Sequence, residues 1–242
     1  MHKPIVLLTA TINCEGTPIT HRQDPKVREA DYLWALKDWL GVDGYSSLVF
    51  CENSGADLTN LEKAANENNH LGHKLVFLSC NKNSGSKTRG KGFGEMEIIR
   101  HALEFTPDLT PEQMIIKVTG RFRARNGTKL MQKFAETDVD ISCMLYENLT
   151  YANSVLFGIT VDCANTHLLS RQDKLDDLKG VWFEHILAAA VHSTLLAGGR
   201  WSPLPYEPSL YGISGSTGAQ IGKSPIARIK NTAKHRLAQI VY

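Results

Sequence analysis

Four short apolar runs, residues 5–11, 47–51, 74–79 and 114–119, each end in a polar or glycine-containing turn, and helical patterns fill the intervals between them. Runs this short, rich in Val, Ile, Leu and Phe, read as buried strands. Strands separated by helices build a parallel sheet whose crossovers cover its faces. The chain is therefore expected to be α/β, with a mostly parallel, Rossmann-like sheet and helices on both faces. The first helix is predicted over 24–40. Asp24 suits the N-cap, Pro25 the first helical position, and Val27, Tyr32, Leu33, Leu36 and Leu40 suggest a helical stripe. Further helices are predicted over 57–69, 95–103 and 182–196, and further strands over 140–146 and 154–161. A polar, glycine-rich stretch, 81–94, precedes the third helix; a Gly-, Ser- and Pro-rich tail leads to a final basic helix over 225–241. No internal repeat or linker divides the 242 residues, which are read as one domain.

In open α/β sheets, ligands bind beyond the carboxyl ends of the strands. Thr9 and Thr11, Glu52 to Gly55, residues 81–95, and Lys117 to Arg121 are thus expected to converge on one rim. One such end alone also reads as a cap for the next helix; four in succession point to a nucleotide-type crevice. Lys117, Arg121, Arg123 and Arg125 cluster at and just after the fourth strand, and Lys91 lies in the glycine-rich stretch. Arg offers a planar fork to phosphate oxygens and Lys a point charge, and such groups can neutralise a leaving diphosphate in place of a metal. A solvated charge run accounts for Arg123 and Arg125. It accounts poorly for Lys117, which interrupts an apolar strand. Glu52, Asn53, Lys117 and Arg121 are expected to surround the diphosphate of a bound nucleotide.

Other motifs are weaker. The run from Gly85 to Gly92 follows a strand and precedes a helix, as a phosphate-cradling P-loop does, but Gly92 stands where a hydroxyl should hold Mg²⁺. The run from Thr217 to Ser224 ends correctly but starts with Thr, and no clear strand leads into it. Asp138-Val-Asp140 has the spacing of a metal-binding acidic pair. It precedes its strand, however, and so falls at the opposite end of the sheet, where a solvated carboxylate pair is the simpler reading. His70 and His73 lack a third ligand, His185 and His192 lack HExxH spacing, and no Gly-x-Ser-x-Gly elbow is present.

Composition excludes other classes. Lys plus Arg number 27 against 25 Asp plus Glu, a balance too even for a dedicated nucleic-acid binder. The five cysteines are odd in number and form no CxxC pair, which suits a reduced, cytoplasmic protein without structural zinc. The apolar run at residues 5–8 is too short for a signal-peptide core, and no stretch approaches the ~20 apolar residues of a membrane span.

Taken in order, Thr9-Ala-Thr11, Asp24-Pro25 with Arg28 and Tyr32, Glu52-Asn53-Ser54-Gly55, Lys91-Gly92-Phe93-Gly94-Glu95 and Lys117-Val118-Thr119-Gly120-Arg121-Phe122 resemble a group of small bacterial glycosyltransferases. These belong to cell-surface polysaccharide gene clusters making O-antigen, lipopolysaccharide core or capsule. The resemblance covers roughly the first half of the chain and thins beyond Asn126. It implies a GT-A-like fold, with a nucleotide-sugar half (1–126) merged with an acceptor half (127–224). It also implies donor-binding roles for Thr9, Thr11, Arg28, Glu52, Asn53, Ser54, Lys91, Gly92, Glu95, Lys117, Thr119, Gly120 and Arg121. Ordinary GT-A enzymes carry a metal-binding Asp-x-Asp at the strand end where this chain has Thr119-Gly120-Arg121. That departure leaves Mg²⁺ or Mn²⁺ possible but not favoured and passes the phosphate role to Lys117 and Arg121.

In inverting GT-A enzymes an acidic residue at a helix start deprotonates the acceptor hydroxyl, and the resemblance makes Glu184 the matching candidate. Trp182 beside it can stack on an acceptor sugar. Equally, Glu184 can serve only to favour the helix N-terminus electrostatically. Asp173, Asp176 and Asp177 read as a charged, solvated stretch. The basic amphipathic segment 225–242 either packs on the domain or lies on an anionic membrane carrying a lipid-linked acceptor. The expectation is a glycosyltransferase, cytoplasmic or peripheral at the inner membrane. Its partners would be a nucleotide-sugar donor and a glycan or lipid-linked acceptor, with no nucleic acid. The alternatives are a P-loop-like phosphotransferase and a non-catalytic nucleotide- or glycan-binding module.

Overall fold

A computed structural model describes residues 3–18, 20–215 and 217–222. In chain order the first half runs β1 (Ile5–Ala10), α1 (Pro25–Leu40), β2 (Ser47–Glu52), α2 (Thr59–Asn68), β3 (Lys74–Ser79), α3 (Ser84–Arg89), α4 (Lys91–Phe105), β4 (Met114–Thr119) and β5 (Phe122–Ala124). The second half runs α5 (Gly127–Ala135), β6 (Ile141–Ser142), β7 (Leu145–Tyr146), β8 (Tyr151–Ala152), β9 (Leu156–Thr160), α6 (Val161–Cys163), α7 (Phe183–Leu196), β10 (Trp201–Ser202), β11 (Leu210–Ile213) and β12 (Gln220–Ile221).

The main sheet has the order β10-β6-β9-β4-β1-β2-β3. Strands β4, β1, β2 and β3 are mutually parallel, whereas β9 runs antiparallel to both β4 and β6. The strands alternate their side chains between two buried faces, which is why they read as continuous apolar runs. Ile5 and Leu7 of β1 face one core with Val49, Ile115, Met96 of α4 and Phe183 and Leu187 of α7. Val6 and Leu8 face the other, with Phe50, Ile116, Leu36 and Trp39 of α1, Leu61 of α2 and Leu130 of α5. Helices thus cover both faces, as the alternation predicts.

The first helix begins as its residues dictate: Asp24 Oδ1 accepts from the N–H groups of Lys26 and Val27, and Pro25 opens the helix. Three expectations need correction. Residues 81–94 are not one loop. Helix α3 occupies much of that stretch, and Gly90, at φ +100°, breaks it from α4, which starts four residues before the predicted Glu95. Gly85 and its neighbours are therefore helical, and no backbone cradle of P-loop form exists there. The strand predicted over 140–146 is two pieces, β6 and β7, and β7 leaves the main sheet to form a hairpin with β8. Glu147, Asn148 and Leu149 turn that hairpin through positive φ values of 51°, 57° and 66°. Finally, β5, β11 and β12 form a small antiparallel sheet that the sequence did not announce. The basic segment 225–242, and Lys223 and Ser224 of the second P-loop-like run, lie outside the described residues.

Candidate active site

The carboxyl ends of β1, β2 and β4 meet at one rim, and the antiparallel β9 begins beside the end of β4, pairing Leu156 with Val118. That reversal brings Ser154, and through it the start of α7, to the same rim. Gly120 is the joint. Its N–H donates to Thr9 O at 2.9 Å, and a Cβ there would stand 2.7 Å from that oxygen, so only glycine lets the chain leave β4 against β1.

Several predicted donor residues turn out to build this rim from beneath. The Glu52 carboxylate is fully buried and accepts from the N–H groups of Ile12 (2.8 Å), Ser54 (2.9 Å) and Ala56 (3.1 Å), with the Ser54 hydroxyl on the same carboxylate. Asn53 accepts from Thr11 Oγ1 at 2.7 Å and donates to Gly94 O at 3.2 Å. Arg28 donates to Thr11 O (2.7 Å), Arg22 O (3.0 Å) and the Tyr32 hydroxyl (3.0 Å). These groups fix loops, and their polar atoms are spent on the protein.

Lys117 is likewise not a surface cation. It is 1 % exposed and lies against the rings of Phe157 and Phe183, with Nζ donating to Ser154 O (2.6 Å) and Thr119 Oγ1 (3.1 Å) and paired with Glu95. Glu95 Oε1 also accepts from Thr9 Oγ1 at 3.1 Å. The interruption of an apolar strand by lysine is thus explained by a buried ion pair tying β4 to α4 and to the segment before β9. Where the sequence suggested a phosphate contact, the structure engages the ammonium with Glu95, Ser154 and Thr119.

Arg121 behaves differently. Its Nε and Nη1 are buried and find no hydrogen-bond partner among the described residues. The guanidinium lies 5.8 Å from the Tyr32 ring centroid, and the backbone of Gly215 crosses so close that a Cβ would strike it. Arg121 lines a cavity of about 80 Å³ together with Thr11, Thr17, Arg28, Ser86 and Lys91. A buried guanidinium with unpaired N–H groups is costly to leave alone, and an anion is the ligand that satisfies it.

Beyond Ser154 lies α7. Ser154 Oγ donates to Glu184 Oε1 at 2.7 Å, so the half-buried carboxylate is held in one orientation. Trp182 remains 44 % exposed, stacked on His185 (5.2 Å, 12°) and edge-on to Tyr151 (6.4 Å). Trp182 and Glu184 thus both lie at the start of α7, each with its own partners. Asp177 corrects the reading of its segment as solvated: it is buried, and Oδ2 accepts from Gly92 N–H at 2.9 Å. Burial pushes its carboxyl above the usual range, opposed by the Gly92 hydrogen bond and Lys91 and reinforced by Glu184 and Glu95. No sequence signal marked it, because the groups that bury it are contributed by α4.

For a metal, the described residues offer no group of three or more His, Cys, Asp or Glu. The Asp138–Asp140 pair sits at the far end of the sheet. Asp138 forms a two-pronged pair with Arg200, and Asp140 accepts from Arg200 N–H at 2.7 Å. The donor set of the Arg121 cavity is cationic, which does not fit a cation.

No protein-family model matches the chain, and no curated protein matches it by sequence. Among solved structures it is similar to the bifunctional glycosyltransferase WbbM (TM-score 0.52, 10% identity, 98% of this chain and 44% of that one). It is also similar to the galactosyltransferase LgtC in complex with donor and acceptor sugar analogues (TM-score 0.51, 12% identity, 76% and 69%). A third is the mannosyltransferase PcManGT from Pyrobaculum calidifontis with GDP-mannose and Mn²⁺ (TM-score 0.50, 12% identity, 99% and 63%). The chain thus spans less than half of WbbM and under two thirds of PcManGT. The fold is that of the GT-A-type nucleotide-sugar glycosyltransferases.

Proposed function

We propose that the chain is an inverting glycosyltransferase that moves a sugar from a nucleotide-sugar donor to a cell-surface glycan or lipid-linked acceptor, in the cytoplasm or at the inner membrane. The observation that carries this reading is the pair of buried Arg121 donors, Nε and Nη1, left without a partner among the described residues in a cavity at the strand ends, with the Glu184 carboxylate on the same rim. In this reaction the acceptor O–H gives its proton to Glu184 and the oxygen attacks the anomeric carbon. The bond from that carbon to the diphosphate breaks, and the electron pair leaves with the diphosphate, whose charge Arg121 and Lys91 neutralise. Trp182 holds the acceptor ring.

Replacing Arg121 with Ala tests the donor site. Charge-assisted hydrogen bonds contribute about 1.5–3 kcal/mol, so nucleoside-diphosphate affinity is expected to fall about 10- to 100-fold by calorimetry, with nucleoside affinity little changed. Equal loss for both ligands would show that Arg121 does not meet the phosphates. Because cationic side chains line the cavity, transfer is expected to continue in excess EDTA. Complete loss in chelator, restored by Mn²⁺ or Mg²⁺, would overturn the metal-independent account.

A further inference from the structure

Helix α4 carries Lys91 at its first position, on the lining of the Arg121 cavity, yet Gly90 before it has no side chain to cap it. The cap comes from 85 residues away in the chain, where Asp177 Oδ2 accepts from Gly92 N–H. The other oxygen, Oδ1, is buried and has no hydrogen-bond partner among the described residues. A Cβ on Gly92 would stand 2.7 Å from it, and one on Gly90 would collide with the carboxylate. The Gly90–Gly92 turn, with φ +100° at Gly90, is therefore moulded onto one side chain of the acceptor half. Asp177 is enclosed, so it does not reach a ligand itself; what it fixes is the start of α4.

We infer that Asp177 is a positioning residue that sets where Lys91 stands at the phosphate cavity, and so couples the acceptor-side segment to donor binding. The inference rests on the reading of that cavity as a phosphate site. Two consequences separate positioning from a simple field effect. Removing a negative charge near an anion cavity tightens anion binding through space, whereas losing the cap loosens it. A loss that acts through Lys91 also vanishes once Lys91 is gone.

The test uses inorganic pyrophosphate as probe, titrated calorimetrically into the full chain. Asp177→Ala is expected to weaken binding about tenfold, the scale of one charge-assisted contact, with no further weakening in a Lys91→Ala background. Asp177→Asn, which keeps an oxygen for Gly92 N–H, should retain affinity. Gly92→Ala displaces the same carboxylate from the other side and should reproduce the Lys91-dependent loss, which serves if Asp177→Ala fails to fold. Unchanged or tighter binding by Asp177→Ala, or an equal loss with and without Lys91, would overturn the inference. Wild-type chain that binds pyrophosphate in this Asp177-dependent way but binds no nucleoside diphosphate would remove the nucleotide reading and leave the inference standing. Wild-type chain that binds neither overturns both.

Discussion

Glu184→Gln is expected to lower kcat by about 10²–10⁴-fold, the usual worth of general-base assistance, with donor affinity nearly unchanged. The acceptor hydroxyl is a poor nucleophile at neutral pH, and the Glu184 carboxylate lies at the start of α7, where the aromatic Trp182 is exposed. Gln keeps the size and can still accept from Ser154 Oγ, so the substitution removes the proposed base and leaves the architecture. Steady-state kinetics with varied donor and acceptor checks it. Near-full turnover by Glu184→Gln, with Asp177→Asn or Asp176→Asn inactive, would place the base in the preceding segment instead.

Lys117→Met is expected to act on the fold. Breaking a buried ion pair by removing one partner costs about 3–5 kcal/mol, because the other charge is left uncompensated. Here Glu95 would lose its pair, and Ser154 O and Thr119 Oγ1 a donor. For a chain of this size that is a fall in Tm on the order of 10 °C, and adding Glu95→Gln should recover much of it. A Tm within about 2 °C of wild type, read by calorimetry, would show that the pair is dispensable.

These two residues mark how far the sequence could be read. The four parallel strands and the Asp24 cap were legible because strand periodicity and capping are local. The oddity of Lys117 was legible too, but not its role, since its partners are Glu95 and Ser154, the latter 37 residues along the chain. Glu52 and Asn53 were placed at the correct rim, yet only the tertiary structure shows their polar atoms turned inward to hold the loops after β1 and β2. Asp177 looked solvated in a run of charges. Its burial depends on Gly90 and Gly92 packing onto it, a contact no local pattern encodes. The short strands β5, β11 and β12 were missed for the same reason: two to four residues carry too little periodicity.

A nucleoside diphosphate is expected to satisfy Arg121 at the strand ends. Thermal unfolding of the wild-type chain, in the presence of nucleoside diphosphates and nucleotide sugars of each base, tests it most directly. A ligand at 100 times its Kd adds about 2.7 kcal/mol to the folded state, a rise in Tm on the order of 5–10 °C for a chain of this length. That rise is expected for at least one nucleoside diphosphate and its sugar conjugate, and is expected to be lost in Arg121→Ala. No shift with any of them, or a shift that survives Arg121→Ala undiminished, would contradict it.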